Sequence, residues 1–235
     1  MGSVAMDDIL NLKNITLIKG DIKNIIKTFN DCEFDAIITD PPYGIGFADY
    51  DTSSDIFFEL EDEFYRILKD NSWFVFWWAV KKIPEIAKFK KFQYRWMIVV
   101  EMKGGNRKSI VGNRVYAPIM IFSKGNPKVK AKMLDMLPAL ELPQFQGLKI
   151  QQSDFKPTYI QATLLKMFGG DRVLDPFAGF GSLLLSALLS DFKGEIIGVE
   201  SDDRRYEVAK IILNEMTLPQ SIPDLIKFFE KCQVS

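Results

Sequence analysis

Histidine is absent from all 235 residues, and cysteine occurs only twice, at Cys32 and Cys232. These scarcities exclude histidine general-base chemistry and argue against a disulfide framework or a histidine-based zinc site. No apolar run approaches the about 18 residues of a membrane-spanning helix, and no signal peptide is visible. A reducing cytoplasm is therefore the expected setting. Net charge is also small, at −1. With 47% hydrophobic and 26% charged residues, the chain reads as an ordinary globular one, long enough to bury one good core. A single α/β domain is expected over residues 6–235. Residues 1–5 are set aside because Met1-Gly2-Ser3 reads as a cloning remnant.

The apolar run Phe34 to Thr39 reads as a buried strand, and Asp40-Pro41-Pro42-Tyr43 follows it directly. Proline lacks an amide hydrogen and fixes φ, so two in succession end a central strand and force a rigid loop. Asp40 thus sits at a strand's C-terminal end, the edge where open α/β sheets bind ligands. A carboxylate, freed carbonyls and the flat ring of Tyr43 suit a planar ring that bears an amino group. The plainer alternative is a turn covered by an aromatic.

A second strand candidate, Arg172 to Leu174, leads into Asp175-Pro176-Phe177-Ala178-Gly179-Phe180-Gly181-Ser182 and the apolar helix pattern Leu183 to Leu189. Glycines permit a tight turn and close ligand approach, and a helix N-terminus lies behind them. The next strand, Glu195 to Val199, ends in Glu200, which is 19 residues beyond Gly181. An acid about 20 residues on is placed to accept hydrogen bonds from ribose hydroxyls. The pattern lacks the full three-glycine fingerprint, and a plain strand-to-helix turn is the alternative.

Together the two motifs resemble the amino-methyltransferases of DNA that use S-adenosylmethionine. That family carries an Asp/Asn/Ser-Pro-Pro-aromatic catalytic tetrapeptide and an Asp-Pro-Phe-x-Gly-x-Gly cofactor motif. The catalytic motif comes first here, as in the circularly permuted beta class. Gly20-Asp21-Ile22 and Phe155-Lys156-Pro157 extend the similarity, which covers residues 15–122 and 153–212. The resemblance implies a Rossmann-like sheet with helices on both faces. It implies catalysis by Asp40, Pro41, Pro42 and Tyr43. S-adenosylmethionine would lie against Asp175, Phe177, Ala178, Gly179, Gly181, Ser182 and Glu200, with Lys156 and Asp21 beside it and no metal. Asp21 also reads as the cap of a short helix.

An aspartate at the first motif position is commoner in the family's N6-adenine enzymes, so adenine in DNA is the expected target. N4-cytosine, an RNA adenine and a non-catalytic nucleic-acid-binding subunit stay open. Residues 123–152 occupy the interval of the family's target-recognition region but are few. That shortness points to a short recognition site, or to a second copy or partner subunit that completes the DNA cleft.

The small net charge conceals three segments. Residues 1–80 carry −9, residues 81–132 carry +12 and the remainder −4. A basic segment in an acidic chain is expected to meet a polyanion. Its candidates are Lys103, Arg107 and Lys108 in a glycine-rich loop, with Arg114, Lys124 and Lys128. For Lys81 to Lys91 a solvated helix face is the alternative. Gly44 to Asp55 reads as a loop that is a candidate lid over the site, with a plain surface loop as the alternative, Phe57 to Leu68 as an amphipathic helix, and Trp73 to Val80 as a buried aromatic strand. A last short helix is expected over Ile222 to Phe229.

Overall fold

The computed structural model describes residues 9–44, 55–101, 107–109, 112–131, 135–138 and 155–216; the side chains of 107–109, 113 and 216 are not described. In chain order the elements are β1 (Ile9–Leu12), β2 (Ile15–Lys19), α1 (Ile22–Ile25), β3 (Phe34–Thr39), α2 (Asp55–Glu59), α3 (Glu61–Ile67) and β4 (Leu68–Trp77). There follow β5 (Gln93–Glu101), β6 (Arg107–Ser109), β7 (Gly112–Arg114), β8 (Tyr116–Lys124) and β9 (Met136–Pro138). The last described elements are α4 (Thr158–Phe168), β10 (Arg172–Asp175), α5 (Ser182–Leu189), β11 (Glu195–Glu200) and α6 (Asp203–Met216).

Nine strands form one sheet in the order β1-β2-β11-β10-β3-β4-β8-β5-β9. Its centre, β2 to β4, is parallel, and β8 runs antiparallel between β4 and β5. Parallel strands covered on both faces are mostly apolar, which is why Ala36 to Ile38 in β3 and Val173 to Leu174 in β10 are consecutive apolar residues rather than alternating ones. One face carries α4, α5 and α6, with Leu164, Leu183, Leu184 and Ile212 in its core. The other carries α1, α2 and α3, with Ile25, Phe57, Phe64 and Ile67. The expected α/β sheet with helices on both faces is present.

The run Trp73 to Trp78 is buried, as expected, and Phe57 is the centre of the aromatic cluster on one of its faces, with Phe74, Phe76 and Trp78. Phe57 is fully buried, its ring centroid 5.0–5.9 Å from those of Phe64, Phe74, Phe76, Trp78 and Phe89. Burial of one such ring stabilises the fold by roughly 1.5–3 kcal/mol.

Three features differ from the sequence reading. The helix expected over Phe57 to Leu68 is two short helices, and β4 begins already at Leu68. Residues Val80–Lys88 form a 3-10 helix. The sheet gains β1, a hairpin partner of β2, and β9, which pairs with β5 at the far edge. The latter falls inside the interval 123–152, most of the rest of which lies outside the described residues, as does Ile222 to Phe229. Among the described residues no helix is long and apolar enough to cross a membrane.

Candidate active site

From β3 the chain proceeds through α2 and α3 to β4 on one side, and from β10 through α5 to β11 on the other. The neighbours β3 and β10 are therefore the point at which the winding reverses. Ligands bind at the carboxyl ends of strands there, because the two connections leave a crevice between them. Asp40 leaves the end of β3 and Asp175 ends β10. The two sequence motifs, separated by more than a hundred residues, thus meet at one crevice.

Asp40 is half-buried, and both its carboxylate oxygens are engaged. The Tyr43 hydroxyl donates to Oδ1, and the Lys156 ammonium pairs with Oδ2. Tyr43 lies edge-on to Trp78, with centroids 5.8 Å apart at 88°. Lys156, just before α4, stands 5.4 Å from the Trp77 ring centroid and 5.9 Å from that of Tyr43. Pro41 is buried and Pro42 half-buried, consistent with a stiff turn wedged at the sheet's end.

Across the crevice, Asp175 accepts from the Thr39 hydroxyl at 2.6 Å and from the Phe177 amide at 3.2 Å. Burial pushes its carboxyl up to about 7, against those two hydrogen bonds and helped by the nearby charges of Asp40 and Glu200. Glu200, at the end of β11, accepts from the Gly179 amide at 2.8 Å and the Asp202 amide at 2.7 Å. Burial again raises its carboxyl above the usual range, opposed by those amides and by Arg205.

Gly179 and Gly181 adopt φ of +56° and +79°, the left-handed region that other L-residues enter only at a cost. A Cβ at Gly179 would meet nothing within 4 Å, so open space stands over the turn where a ligand would approach. A carboxylate offers about four lone-pair sites; Glu200 spends two on backbone amides and faces the Arg205 guanidinium at 4.0 Å, which still leaves room to accept from a ribose hydroxyl. On these grounds the turn and Glu200 fit an adenosine-bearing cofactor. Phe177 is half-buried and Ala178 buried beneath the turn.

Asp21 caps α1, accepting from the Lys23 amide at 2.9 Å, and remains exposed beside this edge. The neighbouring Gly20 amide donates to the Glu200 carbonyl. Ser182 faces inward instead: it is buried, and Gln161 Nε2 donates to its hydroxyl at 3.4 Å. Gln161 in turn accepts from the Trp77 indole at 3.3 Å. Neither Gln161 nor Thr39 was expected from sequence, since a single polar residue in an apolar pattern carries no signal of its partner.

The basic segment is corrected in part. Lys124 cannot serve as a phosphate contact, because it is buried and donates to the Tyr65 and Leu68 carbonyls at 3.1 and 2.7 Å. Lys82 pairs with Glu85 at 2.6 Å, Lys88 with Asp55 at 3.7 Å and Glu85 at 3.2 Å, and Lys91 with Asp62 at 2.6 Å. Lys88 and Lys91 therefore neutralise acids of α2 and α3, while Lys82 is paired within its own helical segment. Arg107 and Arg114 are register partners in the β6–β7 hairpin, with Lys108 beside them. Lys128 is exposed, and Lys103 lies outside the described residues.

Residues 11–109 match the family UPF0020, described as RMKL-like, methyltransferase domain. The protein called "Putative methylase YubD" of Escherichia coli (strain K12) is 30% identical over 199 residues, spanning 78% of this chain and 83% of that one. The chain belongs to this methylase family. Among solved structures, the methylase fold is similar to that of the M1.HpyAVI-SAM complex, with a TM-score of 0.68 at 21% identity over 85% of this chain and 99% of that one. It is similar also to PvuII DNA methyltransferase (cytosine-N4-specific), with a TM-score of 0.69 at 15% identity over 85% and 86%. The putative DNA modification methylase TTHA0409 of Thermus thermophilus gives 0.62 at 20% identity over 88% and 95%.

Proposed function

We propose that this methylase moves the methyl group of S-adenosylmethionine to an exocyclic amine in DNA, with N6 of adenine as acceptor. The observation that carries the reading is the meeting of Asp40-Pro41-Pro42-Tyr43 with the Asp175-to-Ser182 turn at one reversal of the sheet. Bound there, S-adenosylmethionine supplies an electrophilic methyl on a sulfonium. Glu200 accepts from its ribose, the bare Gly179 backbone admits it closely, and Asp21 and Lys156 flank it.

An adenine amine is a poor nucleophile because its lone pair is conjugated with the ring. Asp40 and the Pro41 carbonyl would accept its two N–H groups, favour a pyramidal nitrogen and stabilise its growing positive charge. As the N–C bond forms and the sulfonium C–S bond breaks, S-adenosylhomocysteine would leave and the surplus amine proton would pass through the Asp40 carboxylate to water. This is preorganised electrostatics without a covalent enzyme intermediate. Tyr43 stacks on the base, which must leave a duplex to reach the crevice. Arg114, Lys128 and the remaining candidates Lys103, Arg107 and Lys108 supply phosphate contact, which weakens steeply with salt.

Adenine is favoured by the aspartate at the first motif position. A cytosine-N4 enzyme shares the fold, so the assay must separate the bases. Radiolabelled methyl transfer to DNA and RNA oligonucleotides, followed by nucleoside analysis, is the test. N6-methyladenine in DNA is expected, N4-methylcytosine would overturn the base, and label only in RNA would overturn the substrate.

A further inference from the structure

Lys156 does more in this structure than flank a cofactor. Its ammonium pairs with Oδ2 of Asp40 while Tyr43 holds Oδ1. The same ammonium lies by the Tyr43 ring, 5.9 Å from its centroid. The two features that an amine-bearing base would use, an acceptor carboxylate and a flat aromatic face, are both engaged by one cation. The Lys156 side chain is only 14% exposed and that of Asp40 25%. A cation so shielded from water needs an anion wherever it rests. Its aromatic seat is fixed, because the Trp77 indole is tied to Gln161 and through it to Ser182 at the start of α5. The four-carbon stem of a lysine is free to swing over such a seat.

The proposed reaction brings a second anion to this place. The methyl must meet the amine at Asp40, so the amino-acid end of S-adenosylmethionine, attached to the same sulfur, lies on the Asp40 side of the crevice. We infer that Lys156 exchanges partners: it holds Asp40 when the crevice is empty and passes to the cofactor's carboxylate when that end is filled. Asp40 then becomes an acceptor for the base only in the loaded protein. Cofactor is bound before nucleic acid as a result, and the unloaded protein cannot seat a base productively. The inference rests on the methyltransferase reading above.

The test is a double-mutant cycle read by calorimetry, with S-adenosylhomocysteine and with 5′-methylthioadenosine, which lacks the amino-acid end. Asp40→Asn removes the competing anion and should tighten S-adenosylhomocysteine binding about tenfold, as expected when a site occupied by an internal competitor is freed. In the Lys156→Met background the same change should alter affinity by less than about twofold, because the coupled partner is gone. Lys156→Arg keeps the charge and should keep the gain, which guards against a Met variant that folds badly. Binding of 5′-methylthioadenosine should be indifferent to all of these changes. An equal effect of Asp40→Asn in both backgrounds, or an affinity for 5′-methylthioadenosine that moves in step, overturns the exchange alone. Failure of the wild-type protein to bind S-adenosylhomocysteine overturns the cofactor reading itself.

Discussion

Thr39 donates its hydroxyl to Asp175 at 2.6 Å across the seam between β3 and β10. The last residue of the strand that presents Asp40 is thereby tied to the last residue of the strand that opens the glycine turn. Thr39→Val should cost about 1–3 kcal/mol by leaving a buried acceptor short of a donor. Chemical denaturation measures it. Because that hydrogen bond holds the Asp175 carboxyl down, the variant should also raise its pKa beyond about 7.

The titration of Asp175 has a sign that can be checked. Its folded pKa of about 7 stands above the ordinary 3.8, so between those values the folded state binds the extra proton. The associated stability is complete below pH 3.8 and is lost as pH rises through about 7. Asp175→Asn lacks this dependence. Wild type should therefore lose on the order of a few kcal/mol relative to Asp175→Asn as pH is raised through that window, in paired urea titrations.

Asp40→Ala should retain cofactor and lose methyl transfer by a factor on the order of 10² or more, as for a lost transition-state acceptor. Single-turnover assays with cofactor binding measured in parallel separate the two effects. Residual transfer close to wild type would remove Asp40 from the mechanism.

Gly179→Val places a branched side chain in the open space over the turn, where, among the described residues, no atom beyond its chain neighbours stands within 4 Å of an added Cβ. Its φ of +56° adds backbone strain of roughly 1–2 kcal/mol. Binding of S-adenosylhomocysteine should vanish in calorimetry while the fold survives in a thermal melt. Wild-type affinity would move the cofactor elsewhere.

Lys124 and Lys128 should part ways. Lys124→Ala strips the donor from two carbonyls, at Tyr65 and Leu68, and should destabilise by about 1–3 kcal/mol. Lys128→Ala should leave stability within about 0.5 kcal/mol and weaken DNA binding, lowering its salt slope by about one. Denaturation and salt-dependent binding isotherms tell the two apart.

The two motifs were legible in sequence because proline and glycine act on the backbone locally. Asp40-Pro41-Pro42 had to leave β3, and Gly179 and Gly181 had to turn tightly before α5. Central strands were legible because burial on both faces leaves consecutive apolar residues, as in Ala36 to Ile38. The edges were not: Ile9–Leu12 and Met136–Pro138 are too short for a period to show. Gln161 was silent because Trp77 lies 84 residues away in the chain. The charge of residues 81–91 misled for a similar reason. A count along the chain cannot see that Asp55 and Asp62 come to face Lys88 and Lys91.

The interleaving of β2, β11, β10 and β3 bears on how the protein is made. On a ribosome β3 can pair with β4 soon after both emerge, yet β2 lacks its parallel neighbour β11, and β3 its second, β10, until each arrives more than 130 residues later. The apolar flanks of both strands must wait through most of translation, a slow topology that leaves them open to aggregation. Nascent chains that stop short of β10 carry Asp40 but not the glycine turn, so the two sides of the crevice are never present together until most of the protein has been made.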